Sequence, residues 1–274
     1  FKFREVIARH LPPGAVLPPV PVKKKAIAIN DIKLTGFGGL FTNLPAPVLS
    51  ATPLCFEDLN QAYGLVLYRT TLSSLKQGYL KITALRDFAV VYINGKQTGT
   101  LDRRLEQDSL LLNDIPEHAM LDILVENNGR INYGPYLTDN RQGITQKVTL
   151  GGEELHQWKM YGLPFANLQG IRFDENKPGI HTVQPGCYKG AFTLDEPGDT
   201  WLDMRGFGKG FVFLNGHNLG RYWQIGPQQT LYVPAVWLKK GVNEVVVFDL
   251  LKHGHTLLTS LSGPVLNQLA AANQ

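Results

Sequence analysis

Two stretches rich in aromatic, amide and guanidinium groups carry the clearest chemical potential in this sequence. They are ENNGRINYGPYLTDN at 126–140 and GRYWQIGPQQ at 220–229. Sugars present apolar C–H faces and hydroxyl groups, so a sugar site pairs an aromatic ring with a few polar side chains. The alternative for both stretches is a structural loop that covers the core of the domain. The candidate sugar-binding residues are Arg130, Asn132 and Tyr133, with Arg221, Tyr222 and Trp223 as a secondary set.

Metal and cofactor chemistry find little support. The closely spaced histidines His253 and His255 would share one face of a strand, but no third ligand is evident, so we predict no metal site. The sequence contains no nucleophile elbow and no phosphate-binding loop. No cofactor is therefore expected.

The acidic residues do not suggest a catalytic pair. Glycoside hydrolysis needs two carboxylates separated by about 5–10 Å across a cleft, and nothing in the spacing here indicates such an arrangement. Asp122, Glu126, Glu153 and Glu154 are interpreted as surface charges. No catalytic residue is assigned within this chain.

Composition excludes several classes of partner. The 27 Lys and Arg against 23 Asp and Glu are scattered, and Lys23-Lys24-Lys25 is the only basic run, so no nucleic-acid partner is expected. No apolar run reaches the roughly 18 residues of a membrane span. Cys55 and Cys187 are too few for a disulfide framework, and whether they pair stays open. The compartment is also open, with a periplasmic or secreted location slightly favoured.

Most of the chain has the pattern of short strands separated by turns. These segments are rich in β-branched and aromatic residues, and Gly, Pro, Asn or Asp bounds most of them. The predicted strands are 65–72, 79–85, 89–95, 121–127, 147–152, 187–194, 211–216, 229–234 and 243–250.

An internal repeat organises these strands into two modules. VVYINGKQTGTL at 90–101 matches FVFLNGHNLGRYW at 211–223, with Asn94-Gly95 and Asn215-Gly216 as hairpin turns. In each half, two strands precede the hairpin, and a loop closing on Pro and a long apolar strand follow it. Two tandem all-β modules of about 120 residues, each a sandwich or jelly roll, account for this pattern.

The ends of the modules are predicted less directly. FREVIARHL at 3–11 has helical spacing, and the proline-dense segment 11–22 predicts an extended linker. The predicted domains are a linker at 1–23, a first sandwich at 24–150 and a second sandwich at 151–274. Residues 24–37 could pair with either sandwich. Gly263-Pro264 separates a tail that is a short terminal helix or is frayed.

A resemblance to a known family rests on several motifs in the same order. VENNGRINYG (125–134), TDNRQGI (138–144), GFGKGFVFLNGHNLGRYW (206–223) and GPQQTLYVP (226–234) resemble the non-catalytic C-terminal half of family 35 β-galactosidases. EDLNQAYGLVLYRTTL (57–72) and LHQWKMYGLP (155–164) are similar to that family too. The resemblance covers about residues 40–250.

The resemblance implies galactose-binding-like β-domains that pack around a TIM-barrel catalytic domain. In that family two glutamates of the barrel hydrolyse terminal β-linked galactose with retention. A barrel takes about 250 residues by itself, and no βα unit is seen here, so neither glutamate maps to this chain. The implied partners are the barrel of the same enzyme and a β-galactoside substrate. This chain alone is expected to be inactive.

Three functions follow from this interpretation. In the first, the sandwiches support the barrel and Tyr133 contacts sugar, with Gly129 and Gly134 allowing close approach of the backbone. In the second, the chain is an independent carbohydrate-binding module that uses Trp223 and Tyr222 as a platform. In the third, it is an oligomerisation module, which forms a homo-oligomer and has no sugar affinity.

Overall fold

The computed structural model describes residues 2–20, 25–73, 76–175 and 183–269. One α-helix, α1, spans Lys2–Arg9, and residues 11–20 follow it without regular structure. Both observations agree with the predicted helix and extended linker. Lys23 and Lys24 of the basic run lie outside the described residues, as do residues 270–274 of the tail. Residues 263–269 form no helix.

All remaining regular elements of the described residues are strands and short 3₁₀ helices. The strands are β1 Ile29–Gly39, β2 Val48–Ser50, β3 Leu65–Thr71, β4 Gly78–Ile82, β5 Leu85–Arg86, β6 Phe88–Ile93, β7 Lys96–Asp102, β8 Ser109–Leu112, β9 Met120–Glu126, β10 Gly143–Ile144, β11 Val148–Leu150, β12 Glu153–Glu154, β13 Trp158–Leu163, β14 Gly186–Leu194, β15 Thr200–Asp203, β16 Lys209–Leu214, β17 His217–Trp223, β18 Thr230–Val233, β19 Gly241–Asp249 and β20 Leu257–Leu261. The 3₁₀ helices are Arg103–Leu105, Pro135–Thr138 and Ala235–Trp237. The predicted all-β class is confirmed, and each predicted strand is present.

The first sandwich consists of β2 to β13. A six-stranded sheet, ordered β2-β13-β3-β9-β6-β7, faces a four-stranded sheet, ordered β12-β11-β4-β8. The core between them includes Tyr68 of β3, Leu80 of β4, Val91 of β6 and Trp158 of β13, all at most 1% exposed. Alternate residues of these strands point into this core, as the period of two in a strand requires.

The second sandwich consists of β1 and β14 to β20. Its eight strands run β17-β16-β19-β14-β1-β20-β15-β18, and β1 is shared between the two layers. The part of β1 from Leu34 to Gly39 pairs with β14, and the part from Ile29 to Lys33 pairs with β20. The layers enclose a second core that includes Ile32, Leu202 and Val247.

The sequence repeat corresponds to a repeated order of strands in the two largest sheets. The series β7-β6-β9-β3-β13 of the first sandwich corresponds to β17-β16-β19-β14-β1 of the second. Both hairpins turn on an Asn-Gly pair with positive φ, namely Asn94 at 49° and Gly95 at 78°, and Asn215 at 47° and Gly216 at 83°. The backbone N–H of each Asn also bonds to the neighbouring strand, to Met120 O and to Glu244 O respectively.

The strand pairing corrects the predicted domain boundaries. Strand β1, placed in the first sandwich by the boundary at residue 24, pairs with β14 and β20 of the second. Strand β13, placed in the second by the boundary at residue 150, pairs with β3 and β2 of the first. In the second sandwich β1 takes the position that β13 takes in the first. The first sandwich is therefore inserted in sequence between the first and second strands of the other, and the two are not strictly tandem.

A third core joins the two sandwiches. Leu67 of β3 and Val90 of β6 face Phe211 of β16 and Phe248 of β19 across it, and we call this cluster the junction core. The rings of Phe211 and Phe248 stack with centroids 4.8 Å apart. Sheets buried on both faces need apolar residues at consecutive positions, which explains why β6 and β16 read as uninterrupted apolar runs. Cys55 and Cys187 are buried free thiols, and burial raises the pKa of Cys55 to about 11.

Candidate functional site

The polar loop 127–140 begins where β9 leaves the junction between the sandwiches. Its last strand residue, Glu126, is 5% exposed, and its Oε2 lies 2.5 Å from Nζ of Lys209 on β16. Lys209 Nζ also donates to Oδ1 of Asn128 at 2.9 Å. Burial lowers the pKa of Lys209, while the attraction of Glu126 opposes that shift. A buried ion pair thus fixes the root of the loop to the second sandwich.

The two stretches singled out in the sequence meet at this root. Arg221 of β17 donates from Nη1 to the carbonyl of Asn127 at 2.7 Å and from Nη2 to the carbonyl of Asn128. Its Nη1 also lies 3.4 Å from Oε1 of Glu126. Arg221, predicted to bind sugar, is therefore placed by the structure as a tether of the 127–140 loop.

Tyr222 and Trp223 do not form an open aromatic platform. Tyr222 is 7% exposed in the core of the second sandwich, and its hydroxyl donates to the carbonyl of Phe248 at 2.8 Å. Trp223 is half-buried, with Lys209 Nζ 4.1 Å and Arg104 Cζ 4.0 Å from its ring centroid. Neighbouring residues on a strand point to opposite faces, so Tyr222 faces inward while Arg221 and Trp223 face the junction. The structure therefore does not support an exposed platform of Tyr222 and Trp223, and sugar binding by this secondary set stays a prediction.

Arg130 closes the loop onto the segment before β3. Its Nη1 donates to Oε1 of Glu57 at 2.5 Å and to the carbonyl of Asn140 at 2.9 Å, and its Nη2 donates to the carbonyl of Ala62 at 3.1 Å. Burial raises the pKa of Glu57, but hydrogen bonds from Gln142 N–H and Arg130 outweigh it and hold that pKa below its ordinary value. The guanidinium of Arg130 is thus engaged within the chain.

The tip of the loop presents Asn132 and Tyr133 to solvent. Asn140 imitates a strand partner, because its Nδ2 donates to Ile131 O at 2.7 Å and its Oδ1 accepts from Ile131 N at 3.0 Å. Tyr133 is 89% exposed, and among the described residues its side chain makes no hydrogen bond. Gly134 follows with φ of 98°, a conformation that suits glycine.

The far end of the loop is tied to the first sandwich. Arg86 of β5 donates to the carbonyl of Asp139 at 2.6 Å and to its Oδ2 at 2.9 Å. Hydrogen bonds from Arg141 and Arg86 lower the pKa of Asp139 to about 2. Both ends of the loop are therefore joined to the body of the protein by hydrogen bonds.

A cleft opens beside the loop between the two sandwiches. Its volume is about 330 Å³, and both Arg130 and Arg221 line it. Tyr63, Phe165 and Asn218 form other parts of its wall. Of the sequence-predicted sugar residues, the structure brings Arg130 and Arg221 together here and leaves Asn132 and Tyr133 at the loop tip.

Two acidic residues lie elsewhere than the sequence suggested. Asp122 and Glu126, predicted as surface charges, are buried, and Asp122 accepts two hydrogen bonds from Arg69 at 2.7 and 2.9 Å. Glu153 and Glu154 are exposed, as predicted. Sequence reasoning missed Lys209 altogether. The available signal was that Asp122 and Glu126 sit within an otherwise apolar strand, where a charge needs a partner.

The two histidines are half-buried, and His255 lies against the core of the second sandwich. His255 Nε2 lies 2.9 Å from Oδ2 of Asp249, and its ring centroid is 4.2 Å from that of Phe207. Burial lowers the pKa of His253. No group of three or more His, Cys, Asp or Glu that could hold a metal occurs in the part of the chain that the structure describes. Among those residues, no helix is long and apolar enough to cross a membrane.

Fold and site together define a pair of all-β accessory domains joined by a common core and carrying an anchored polar loop. Residues 53–164 match the family described as "Beta-galactosidase, first all-beta domain", and residues 185–243 match "Beta-galactosidase, galactose-binding domain". The chain belongs to the β-galactosidase family. The first match covers β3 to β13 of the first sandwich, and the second lies within the second sandwich.

Curated relatives extend this similarity over most of the chain. A β-galactosidase of Xanthomonas manihotis is 39% identical over 230 residues, which is 84% of this chain and 38% of the relative. β-Galactosidase 1 of Dictyostelium discoideum is 34% identical over 281 residues, covering 92% of this chain and 42% of the relative. β-Galactosidase-1-like protein 2 of Homo sapiens is 34% identical over 249 residues, covering 87% and 38%. The chain thus spans about two fifths of the length of these relatives.

Proposed function

We propose that this chain is the accessory, non-catalytic part of a retaining family 35 β-galactosidase and that its 127–140 loop helps to shape the sugar site. The relatives named β-galactosidase and the two matched domains support this role. The catalytic glutamates and most contacts to the terminal galactose would come from a TIM-barrel domain of the same enzyme. The substrate class would be β-linked galactosides.

The observation that carries the proposal is the exposure of Tyr133 on a loop anchored at both ends. An exposed tyrosine presents a flat apolar ring and one hydroxyl, which together suit stacking and hydrogen bonding to a sugar. The ion pairs Lys209–Glu126 and Arg86–Asp139 limit the motion of the loop. A ring held in place before the ligand arrives loses less entropy on binding. Asn132, also exposed, would add an amide beside the ring.

The surface of α1 supports a contact with a further domain. Phe3 is 86% exposed, Val6 52% and Ile7 51%, and no residue of this helix is buried. Apolar residues clustered on one exposed helix face are typical of an interaction surface. We propose that α1 and the proline-rich segment after it pack against the catalytic domain.

Hydrolysis of a chromogenic β-galactoside tests the proposed function. We expect no hydrolysis by this chain alone, and full hydrolysis by a polypeptide that carries this chain behind a family 35 catalytic domain. In that enzyme Tyr133→Ala should lower kcat/KM by about tenfold or more, the loss of roughly 1.4 kcal/mol of transition-state binding. Tyr133→Phe keeps the aromatic ring and removes the hydroxyl, so its kcat/KM distinguishes the contributions of the two groups.

Tyr79→Ala is the matched control, because Tyr79 is 63% exposed on the outer face of the four-stranded sheet. It should leave kcat/KM unchanged. Hydrolysis by this chain alone would contradict the accessory role. Wild-type kcat/KM in a folded Tyr133→Ala enzyme would contradict the role of the loop.

A further inference from the structure

We propose that the cleft between the two sandwiches is a second sugar-binding site, which takes a single neutral hexose unit such as a β-galactoside ring. The cleft has a volume of about 330 Å³, near the lower end of the range for small-molecule sites. All of its walls come from this chain, so the proposal does not depend on a catalytic domain. It is also separate from Tyr133, which does not line the cleft.

The cleft is preformed, because hydrogen bonds join the elements that make its walls. Asn127 donates from Nδ2 to the carbonyl of Ala62 at 3.0 Å and from its backbone N–H to the carbonyl of Gly64 at 3.1 Å. Arg221 joins the same residue to the second sandwich through the carbonyl of Asn127. Gly64 has φ of +90°, and a Cβ there would lie 2.4 Å from the carbonyl oxygen of Leu163. The cleft therefore needs little rearrangement to receive a ligand.

The lining has the mixture of groups that a sugar ring requires. Tyr63 is 56% exposed, and among the described residues its hydroxyl has no hydrogen-bond partner. Phe165 adds a second aromatic ring, packed at 4.8 Å against Phe211. At the rim, Asn218 uses its Oδ1 for the N–H of Gly220 at 2.8 Å, while its Nδ2 makes no bond within the described chain. An aromatic face beside a free amide matches the apolar C–H face and hydroxyls of a hexose.

The charges around the cleft favour a neutral ligand over an anion. Arg130 is paired with Glu57 at 2.5 Å, and Glu126 is paired with Lys209 at 2.5 Å. The guanidinium of Arg221 donates hydrogen bonds to two backbone carbonyls and to Glu126. A bound anion would compete with these carboxylates, whereas hydroxyl groups could use the remaining donors without breaking an ion pair.

The test is a titration of the ¹⁵N-labelled chain with methyl β-galactopyranoside, followed by amide chemical shifts. We expect saturable shifts at Gly64, Gly129 and Asn218. Tyr63→Ala should weaken binding by about tenfold, which corresponds to roughly 1.4 kcal/mol, because it removes the aromatic face that the sugar ring would contact. Tyr63→Phe should keep most of the affinity, and Tyr79→Ala, at a comparably exposed tyrosine on another sheet, should keep all of it.

Three results of the galactoside titration would overturn the proposal. They are the absence of saturable shifts, equal affinity of Tyr63→Ala and the wild-type chain, and shifts confined to residues 131–134. Binding of galacturonate without binding of the neutral galactoside would also overturn it, in favour of an anion site. Failure here leaves the Tyr133 experiment untouched, because that experiment measures hydrolysis by an enzyme with its catalytic domain and this one measures binding by the chain alone.

Discussion

At the scale of single residues, the Lys209–Glu126 pair shows how one buried contact positions a loop. Both side chains are nearly inaccessible, at 3% and 6% exposure. Removing one partner of a buried ion pair leaves an uncompensated charge, whereas replacing both with apolar groups costs much less. The contact therefore contributes more to where the loop sits than a surface ion pair would.

We expect Lys209→Met to lower the free energy of unfolding by about 3 kcal/mol, because Glu126 then keeps only the longer contact to Arg221. The double variant Lys209→Met with Glu126→Leu should recover part of that loss. Urea denaturation measures both. Lys25→Met is the control, since the side chains of the Lys25–Glu196 ion pair, 2.8 Å apart, are 64% and 70% exposed. This variant should cost far less stability than Lys209→Met, because exposed ion pairs contribute little. Equal losses in the two single variants would contradict the role of burial.

His253 gives the stability of the chain a dependence on pH. Burial lowers the pKa of His253 below its ordinary value near 6.5, and its Nδ1 is buried without a partner in the described structure. The unfolded chain then binds this proton more readily than the folded chain, so the free energy of unfolding should fall as pH drops below about 6.5.

The measurement is urea denaturation at a series of pH values between about 5 and 8. His253→Gln should flatten the fall in unfolding free energy, while His118→Gln, at a histidine 75% exposed, should not. A slope that is unchanged in His253→Gln would assign the pH dependence to another group.

At the scale of elements, the two Asn-Gly hairpins set the register of the repeat. Each makes a two-residue turn, with Ile93 paired to Lys96 and Leu214 paired to His217. Each hairpin also carries a register irregularity in its strands, at Val91/Tyr92 and Val212/Phe213. The turn is favoured because both of its residues have positive φ, which Asn tolerates and Gly adopts freely.

Gly216→Ala should destabilise the chain by about 1 kcal/mol through the backbone alone. The φ of Gly216 is +83°, and a Cβ there would meet nothing within 4 Å. Gly206→Ala is the control, since that position also has open space but no positive φ. Thermal unfolding followed by circular dichroism compares the two. Equal melting temperatures for both variants would show that the turn conformation is not limiting.

At the scale of the whole molecule, the junction core packs the two sandwiches into a single unit. Its aromatic residues, among them Phe248 at 1% exposure, leave the inner sheets no free face. The chain also crosses between the sandwiches twice, because it passes from β1 of the second sandwich into the first and returns to the second at β14. We expect the two sandwiches to unfold in one transition.

Phe248→Ala should lower the free energy of unfolding by about 3–5 kcal/mol, since it removes a large side chain from a packed interface. Val236→Ala, at a residue 74% exposed, should change it by less than about 0.5 kcal/mol. Differential scanning calorimetry gives the calorimetric and van't Hoff enthalpies, which should agree for the wild-type chain. Two separate transitions would show that the sandwiches are independent.

Features that depend on neighbouring residues were predictable from the sequence. Strand positions, the Asn-Gly turns and the twofold repeat follow from local apolar pattern and from tolerated φ values, and each was predicted. The family resemblance extended the prediction to the domain types. Sequence also indicated Arg130, Asn132 and Tyr133 as one polar loop, because they are consecutive or nearly so.

Features that depend on residues far apart in the sequence became visible in the folded structure alone. The pairing of β1 with β14 and β20 joins distant positions, the nearest being Gly39 and Gly186 (186 − 39 = 147 positions apart), and no local pattern distinguishes the two sandwiches as partners. The burial of Glu126 against Lys209 likewise depends on a contact across 83 positions. The inward direction of Tyr222 could not be read because Tyr222 and Trp223 are consecutive aromatic residues of β17 and point to opposite faces, and the local pattern does not show which of the two faces the core of the second sandwich.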